Sequence, residues 1–437
     1  LEIRQRLPLA PEASPATLEW ALRWLAESNE GGSAPSRKKR RRIADAAPTP
    51  WNDSAFALPN GSADSTADRT NPGKNGSPAG NGAPATRSAK ALPESAPELL
   101  LLCDLLLFAG KRLPPSTLWD VWSATLHGVL KLADQLSGAA SEEAASAGLA
   151  LAGGELCWKA SLLFDGVDSI VSMGPAAKER LAEFLAECTD ESGLPHSHAM
   201  LSPAFELGIL SRSLAWSRRF SQPLFDKPTR QRMSVWVRSA IAQCRADGRP
   251  ALADASEEER ADRTIEPAES LASLDFAAEI VGMRPGSRPR AALKAIATTL
   301  AACGKKESLG GPPASRNEKP GRKLRRARKA SQRPAFQSDD TQTACLRTDW
   351  RPNASLLAIA HDRATPLIAL QLDGAPVLNG VWDLQLTIDG KDVPLDESWA
   401  ATCWFSDEDA DYLEIQQILP DGVRIERQIL LSRIDSF

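Results

Sequence analysis

Length, composition and charge place this 437-residue chain among ordinary globular proteins with room for two or three domains. Hydrophobic residues make up 42% of the chain and the net charge is only −4, which favours neither wholesale disorder nor a nucleic-acid carrier. The seven cysteines include no Cys-x-x-Cys pair, so buried reduced thiols are expected rather than a disulfide framework or a zinc site.

Residues 1–95 divide into a short N-terminal segment and a low-complexity stretch. Within residues 1–30, only the amphipathic segment 17–27 suggests a helix, and it is too short to be stable alone, so it must dock or fray. Residues 31–95 are rich in Gly, Ser, Pro, Asn and Asp and are predicted to be disordered, because they cannot bury enough apolar surface to offset their ordering entropy. Their basic run, residues 37–42, is typical of a nuclear signal or a phosphate-binding arm; we favour a solvated charge run in a tail.

In residues 96–304 apolar residues recur with the helical period, which predicts about eight amphipathic helices. Each helix has one apolar stripe that must pack against a neighbouring element. Helices are predicted to begin near Pro97, Ser116 and Pro203 (after Ser202 as N-cap), and to span residues 142–164, 175–188, 228–244, 266–283 and 289–303.

A recurring pattern separates several of these helices: a helix end, a cysteine, a polar turn and then Gly-x-Pro. It occurs after Cys188 and Cys244 and, more weakly, after Cys303, at spacings of about 56 and 59 residues. This spacing matches two helices with their connections, so we predict an array of helical hairpins that is either open or closed into an α/α toroid.

The last third of the chain changes character. Residues 305–340 are predicted to be a basic linker, since residues 305–333 contain eleven Lys or Arg and two acids. From residue 341 the hydrophobic period changes from 3.6 to 2, which predicts an antiparallel β-sandwich over residues 341–437. The strand-like runs are residues 344–347, 355–360, 367–372, 381–388, 400–405, 412–419 and 423–431.

Three Asp-Gly pairs lie between such runs, at Asp373, Asp389 and Asp421, and predict tight hairpin turns. The predicted fold class is therefore multidomain α+β, with a helical-hairpin array followed by a β-sandwich. Whether the chain is a fragment stays open, because it begins with Leu1 rather than Met and stops at Phe437 just after a strand-like run. A cut there would leave the sheet incomplete with an unpaired edge.

The chain shows no signal peptide, although a missing start would weaken that observation. Its longest apolar run, residues 99–109, is interrupted by Asp104 and is too short to cross a bilayer. We therefore predict no membrane segment and make no prediction of cellular location.

The opening of the β region resembles that of a known family. Leu346-Arg347-Thr348-Asp349-Trp350 is similar to the opening strand of the β domain in heparinase II/III-like polysaccharide lyases. Leu356-Leu357, His361 and Asp373-Gly374-Ala375-Pro376-Val377-Leu378 follow, the last similar to the family's Gly-x-Pro-Leu-Leu hairpin. The resemblance implies an α/α toroid packed on a β-sandwich, and β-elimination of an acidic polysaccharide in the cleft between them.

The implied reaction needs a base for the proton α to the uronate carboxylate, a group that neutralises this carboxylate, and an acid for the leaving oxygen. Histidine and tyrosine usually fill the proton-transfer roles, and Asn, His or Arg holds the carboxylate. The family's His-x-His-x-Asp is reduced here to His361-Asp362. The one tyrosine, Tyr412, lies outside the helical region, so the usual Tyr acid/base is missing.

His196 and His198 follow the first Gly-x-Pro and are the leading candidate site residues. Alternate residues of an extended loop point the same way, so the imidazoles can share a cleft as a base and a carboxylate ligand, or as two metal ligands that lack a third. The structural alternative is a pair that caps a turn.

A cationic stretch between residues 207 and 246 has eight Lys or Arg against one acid, Asp226. Such a face would attract uronates, sulfates or phosphates, which makes Arg212, Trp216 and Arg219 candidate substrate-binding residues. In the alternative interpretation the arginines are merely solvated and the tryptophans face the core. We expect Trp236 to be a core residue and leave both interpretations open for Trp216.

The acidic loop at residues 407–411 offers oxygen ligands that calcium prefers, but no Gly or distal Glu completes a known loop, so we favour a solvated turn. No phosphate loop, dinucleotide fingerprint, nucleophile elbow or His-Glu-x-x-His occurs, so neither a cofactor nor a metal is predicted.

The leading hypothesis is a carbohydrate-active protein that binds or cleaves an anionic, uronate-containing polysaccharide in the cleft between the two regions. In a catalytic form, His198 is the base, His196 and Arg212 hold the carboxylate and His361 assists. The alternatives are a non-catalytic binding or scaffold protein that has lost its proton-transfer groups and, less favoured, a nucleic-acid-associated protein that uses the two basic runs. The polymer and the oligomeric state are not predicted.

Overall fold

The computed structural model describes residues 2–6, 96–137, 147–255, 266–306, 333–395, 398–419 and 422–433. After a short strand at residues 2–6, which was not predicted, the described chain is helical and then forms antiparallel strands, the order predicted for residues 96–437. The amphipathic segment 17–27, the low-complexity stretch 31–95 with its basic run, and most of the basic linker lie outside the described residues.

Helices occur where the 3.6-residue periodicity predicts them, and two short ones, Asp168–Val171 and Ser197–Leu201, were not predicted. Their bounds are α1 Ala96–Ala109, α2 Pro115–Ser137, α3 Ala147–Leu149, α4 Cys157–Leu163, α5 Asp168–Val171, α6 Met173–Cys188, α7 Ser197–Leu201, α8 Pro203–Arg219, α9 Lys227–Ala242, α10 Pro267–Ile280 and α11 Arg288–Lys306. The helix predicted over residues 142–164 is described from residue 147 onwards, and there a π-helical segment, Ala150–Leu156, separates α3 from α4.

Helix α9 shows how local sequence fixes these elements. The Asp226 carboxylate caps its first turn by accepting a hydrogen bond from the Thr229 backbone N–H at 2.9 Å. Pro228 follows at a position where a missing N–H costs nothing. The apolar stripe of α9 is buried, and the exposed fraction of Trp236 is 0%, which confirms it as a core residue.

The recurring helix–turn pattern folds twice into the same turn. In the first copy the backbone N–H groups of Asp190, Gly193 and His196 donate to the carbonyls of Leu194, Asp190 and Cys188. In the second copy the donors are Arg245, Gly248 and Ala251, and the acceptors are Arg249, Arg245 and Gln243. Each residue of the second set lies 55 positions after its counterpart in the first set, so the two turns have the same hydrogen-bond pattern.

The register of this repeat follows the glycines rather than the cysteines. Gly193 and Gly248 both have a positive φ, 92° and 82°, which only glycine adopts without strain. Cys244 is equivalent to Thr189, and Cys188 to Gln243. The repeat is thus confirmed in its first two copies, while the turn that would follow Cys303 lies outside the described residues.

The strands form three antiparallel sheets in the described part of the chain, with the orders β2-β3-β4-β5-β6, β11-β10-β9 and β1-β7-β8. Their bounds are β1 Glu2–Arg6, β2 Phe336–Ser338, β3 Thr343–Arg347, β4 Leu356–Ala360, β5 Leu367–Leu372, β6 Ala375–Val381, β7 Asp383–Ile388, β8 Lys391–Val393, β9 Ala400–Ser406, β10 Ala410–Ile418 and β11 Arg424–Ser432.

Two of the predicted Asp-Gly hairpin turns are confirmed. Asp373 and Gly374 have φ values of 48° and 88°, and Asp389 and Gly390 have 50° and 77°. Two successive left-handed residues form the type I′ turn, whose twist matches that of the flanking strands. At the third site Gly422 also has a positive φ of 76°, but Asp421 lies outside the described residues.

The strand pattern missed four strands, each for a physical reason. β6 contains Pro376 and Gly380, which weaken a strand prediction, but β6 is the edge of its sheet, where proline is tolerated. β2 and β8 have three residues each, too few to show a period. β1 pairs with β7, and no local signal foretells a pairing between residues so distant in the chain.

The five-stranded sheet has apolar residues on both faces. The face that packs on the helices carries Cys345, Leu356, Ala358, Ala360, Leu367 and Ala369. The opposite face, which packs on the other strands, carries Ala344, Leu346, Leu357, Ile359 and Ile368. Because the first set belongs to the same buried cluster as the helices, the helical and β halves share one apolar core.

Candidate functional site

The first repeated turn joins the helices to the sheet through three hydrogen bonds. Ser338 Oγ donates to Asp190 Oδ2 at 2.6 Å, and Thr343 Oγ1 donates to the Pro195 carbonyl at 2.9 Å. Ser197 Oγ donates to Asp362 Oδ2. The pKa of Asp190 is lowered, because its hydrogen bonds from Ser338, Ser192 and the turn backbone outweigh the opposing effect of burial.

The second repeated turn is held mainly by Arg347. This side chain is fully buried, and its guanidinium donates to the carbonyls of Ala242 at 2.6 Å and Cys244 at 2.8 Å, at the C-terminal end of α9. Cationic donors are favourable there, since the last carbonyls of a helix lack partners and carry partial negative charge. Gln371 Oε1 adds a bond by accepting the Ala246 N–H at 3.1 Å.

The first turn also positions the histidine pair. His196 is the N-cap of α7 and His198 lies in its first turn; His196 is half-buried and His198 is exposed. Their rings are nearly parallel, at 6°, with centroids 6.0 Å apart. Ser197 between them is buried and bonded to Asp362, so the sheet fixes the backbone that carries both imidazoles.

His361 is brought to this junction by its backbone, but its side chain lies elsewhere. Its Nδ1 is 2.6 Å from the carbonyl of Trp399, and because a carbonyl can only accept, Nδ1 carries the proton. Among the residues that the structure describes, Nε2 has no hydrogen-bond partner. Burial lowers the pKa of His361, against the opposing effects of the Trp399 carbonyl, Asp362 and Asp339.

Strand alternation explains this placement. Ala360 faces the helices, so the next residue, His361, faces the other strands, and Asp362 returns to the helical side, where it meets Ser197. The side chain of His361 is buried. A proton-transfer role for His361 stays a prediction.

The predicted substrate-binding residues lie farther along α8. Arg212 is nine positions beyond Pro203, about 13 Å along the helix axis. Its side chain, 41% exposed, makes two 2.7 Å hydrogen bonds to the carboxylate of Glu155, which is fully buried. The structure thus gives Arg212 a carboxylate partner.

Glu155 belongs to a neutral cluster of four charges. Lys159 Nζ lies 3.0 Å from Glu155 Oε1 and 3.1 Å from Asp104 Oδ1. Trp216 Nε1 also donates to Asp104, at 3.0 Å, and Lys159 lies over the Trp216 ring at 5.2 Å. Glu155 is supplied by the π-helical segment, a type of irregularity that is frequent at functional sites.

Trp216 is buried and stacks on Phe220, while Arg219 is exposed and lies over the Phe108 ring at 5.7 Å. Their substrate-binding roles, like that of Arg212, stay predictions.

The sequence analysis did not predict the charged cluster formed by Asp104, Glu155 and Lys159. A charged residue inside an otherwise apolar helix is the sequence pattern that could have indicated it.

The acidic loop is organised by its own backbone. Asp407 Oδ1 accepts hydrogen bonds from the N–H groups of Asp409 at 2.7 Å and Ala410 at 2.9 Å, while Asp411 is buried against Arg433 and Ser406.

In the described ranges no group of three or more His, Cys, Asp or Glu side chains could hold a metal ion. Within the same ranges, no helix combines the length and apolar character needed to span a bilayer.

The chain matches no protein-family model, and no curated protein matches it in sequence. Solved structures match it in fold. A mutant of the heparan sulfate lyase HepC from Pedobacter heparinus is 13% identical to this chain, with a TM-score of 0.50. The match covers 76% of this chain and 51% of the lyase chain. The unmutated HepC is 12% identical, and its match covers 77% of this chain and 52% of HepC, with a TM-score of 0.49. A heparinase III is 13% identical, and its match covers 76% of this chain and 51% of that protein, also with a TM-score of 0.49.

The chain spans about half the length of these proteins. At this identity the likeness concerns the fold alone. It confirms, as a partial and distant match, the resemblance predicted from the start of the β region: the helices and antiparallel sheets of this chain are similar in fold to those of a heparan sulfate lyase.

Proposed function

We propose that this chain is a carbohydrate-active protein that binds an anionic, uronate-containing polysaccharide at the junction between its helices and its sheet. The observation that carries the proposal is the fold likeness to a heparan sulfate lyase over 76% of this chain. The helical region 96–304 would then be toroid-like, the region 341–437 a β-sandwich, and residues 305–340 their linker. Because one fold can host many functions, the proposal also needs a site.

The histidine pair supports such a site. Imidazole can be protonated near neutral pH, and a protonated ring donates hydrogen bonds to carboxylate or sulfate oxygens. The rings of His196 and His198 are parallel, 6.0 Å between centroids, on a backbone that Ser197 and Asp362 fix. Two donors held side by side suit successive anionic groups of a polymer.

Binding is favoured over cleavage by the state of the other proton-transfer candidates. Tyr412 donates to Glu414 at 2.6 Å on β10, and burial together with this carboxylate raises its pKa to about 12. His361 is enclosed and bonded to Trp399. Both groups are engaged in these contacts, which supports binding rather than cleavage.

The test measures affinity of the full chain for heparan sulfate, chondroitin sulfate and hyaluronan, with duplex DNA as competitor. Replacing both His196 and His198 by Gln should weaken polymer binding about tenfold or more, since a hydrogen bond to a charged group contributes about 1.5 kcal/mol. His127→Gln, an exposed histidine on α2, is the matched control and should bind normally. Unchanged affinity in the double variant, or DNA binding tighter than polymer binding, would contradict the proposal.

Lyase activity is the second candidate, and the parallel histidine rings favour it, with His198 as the base and His196 holding the carboxylate. β-Elimination leaves an unsaturated uronate that absorbs in the ultraviolet. Cleavage predicts a rise in absorbance that His198→Gln abolishes while binding persists. A flat signal with every polymer from pH 5 to 9 would leave the binding function alone.

A further inference from the structure

The outer face of the three-stranded sheet β9–β10–β11 carries a row of apolar side chains in direct register. Tyr412 on β10 is paired with Phe405 on β9 and with Leu430 on β11. Phe405 is 49% and Leu430 54% exposed, although their inward-facing neighbours are packed in the core. Directly paired residues have Cβ atoms about 5 Å apart, so the three side chains form one continuous strip.

Tyr412 is half-buried at the centre of this strip. Its hydroxyl donates to Glu414 Oε2 at 2.6 Å, and Glu414 is two residues further along the same strand on the same face. The hydrogen bond therefore holds the aromatic ring and the carboxylate next to each other on this surface.

A polar row borders the strip on one side. The Glu414 carboxylate accepts from Thr402 Oγ1 at 2.8 Å and from Gln428 Nε2 at 3.3 Å, in addition to Tyr412. These bonds hold the carboxylate in one orientation, and chiefly the one from Tyr412 lowers its pKa, so it is charged at neutral pH. Glu426 is the next acid on this face, and it is paired with Arg424 at 3.7 Å.

We propose that this surface, made by Phe405, Tyr412, Leu430, Glu414, Gln428 and Thr402, is a binding platform for a neutral sugar chain. The C–H face of a pyranose ring carries partial positive charge and stacks on the negative face of an aromatic ring. Sugar hydroxyls donate to the fixed carboxylate of Glu414 and exchange hydrogen bonds with the Gln428 amide. The same carboxylate repels uronates and sulfates, so the platform selects uncharged sugars.

This platform is separate from the histidine junction and does not depend on the function proposed there. The junction suits anionic groups, whereas the platform carries a fixed negative charge beside aromatic rings. A protein with both surfaces would hold a neutral glycan on β9–β11 and an acidic one at the helices.

The experiment measures retardation of the full chain in native gels that contain a soluble β-glucan, xylan, mannan or dextran. Phe405→Ala should lower affinity for the retarding polymer at least tenfold. Tyr412→Phe keeps the ring but releases Glu414, and it should lower affinity by a smaller factor. Leu101→Ala, which removes an exposed apolar side chain from α1, is the matched control and should bind as the parent does.

Cys403 gives a second, direct readout. It is exposed on β9 and paired with Glu414, whereas the cysteines at 103, 157, 188, 244 and 345 are buried. In a Cys303→Ser background, the bound polymer should slow the reaction of Cys403 with a thiol reagent, and Phe405→Ala should remove this protection.

Three outcomes would overturn the proposal. The first is no retardation by any of the four neutral polymers, and the second is retardation that Phe405→Ala leaves unchanged. The third is a parent protein that sediments as a dimer and that Phe405→Ala converts to a monomer, since a second copy would then cover this face. The His196/His198 double variant should keep its affinity for the neutral polymer, which separates failure here from failure of the junction proposal.

Discussion

Two buried sites in this protein accommodate ionisable side chains in different ways. Glu155 and Lys159 neutralise each other and recruit Arg212 and Asp104. His361 takes the other course, because its ring is enclosed as a neutral group that donates to the Trp399 carbonyl. Burial lowers the pKa of His361, so this second solution depends on pH.

The burial of His361 predicts a loss of stability on mild acidification. Burial lowers the pKa of the folded His361 below its ordinary value of 6.5, so between the two values the unfolded chain binds more protons than the folded chain. The contribution of His361 to stability is therefore fully present above pH 6.5. It is lost as the pH decreases from 6.5 through the lowered pKa of the folded state. The urea midpoint measured from pH 7.5 to 5.5 should decline, and His361→Gln should flatten the decline.

The exposed His127 provides the comparison for this titration, since His127→Gln should reproduce the pH dependence of the parent protein. An equally steep decline in His361→Gln would show that other groups cause it.

At the scale of the element, two turns of identical backbone serve different surroundings. Gly193 lies against α9, where a Cβ would come within 2.3 Å of the Arg232 carbonyl oxygen. At the equivalent Gly248, a Cβ would meet only the ends of the Leu271 and Leu300 side chains, at 3.0 Å. At Gly390, in the β7–β8 hairpin, the space is open.

These surroundings predict a graded series of alanine substitutions. Gly390→Ala should cost about 1 kcal/mol, the conformational cost of a positive φ alone. Gly248→Ala should cost more, because two leucines must move. Gly193→Ala should cost more than about 3 kcal/mol, since a backbone oxygen cannot give way. Denaturant unfolding of the three variants measures the order, and equal costs at Gly193 and Gly390 would contradict it.

At the scale of the whole molecule, the helical and β halves depend on a few polar contacts set in a shared apolar core. Arg347 is central among them, because its guanidinium reaches the end of α9 from β3 and also donates to the carbonyls of Asp349 and Arg351. Four carbonyls share one buried cation, whose pKa burial lowers. The planar fork of arginine makes this geometry possible, and lysine cannot reproduce it.

Arg347→Met should therefore destabilise the folded chain by about 3 kcal/mol, because each buried carbonyl left without a donor costs about 1 to 3 kcal/mol. Arg347→Lys should restore only part of this loss. Unfolding monitored by tryptophan fluorescence and by far-ultraviolet circular dichroism measures it.

Arg351→Met is the surface control, as the Arg351 side chain is 67% exposed and forms a surface ion pair with Asp349. It should change stability by less than about 1 kcal/mol. An Arg347→Met variant as stable as this control would show that the shared apolar core alone joins the halves.

The sequence by itself determined the features that depend on neighbouring residues. The α9 stripe and its Asp226 cap, the Asp373-Gly374 turn and the recurring Gly-x-Pro turn were all predicted, since caps, periodicity and left-handed glycines act within a few positions. The histidine pair was predicted as two residues of one extended loop, but the structure places His198 in the helix Ser197–Leu201 with His196 as its N-cap.

Tertiary structure decided which surfaces meet. The Glu155–Arg212 pair, the Arg347–Ala242 bond and the β1–β7 pairing join residues far apart in the chain. The same packing buried the His361 ring against the Trp399 carbonyl, and strand geometry placed the Tyr412 hydroxyl on Glu414. Local sequence fixes the face that an element must bury, but the partner of that face depends on how all elements fill the core together.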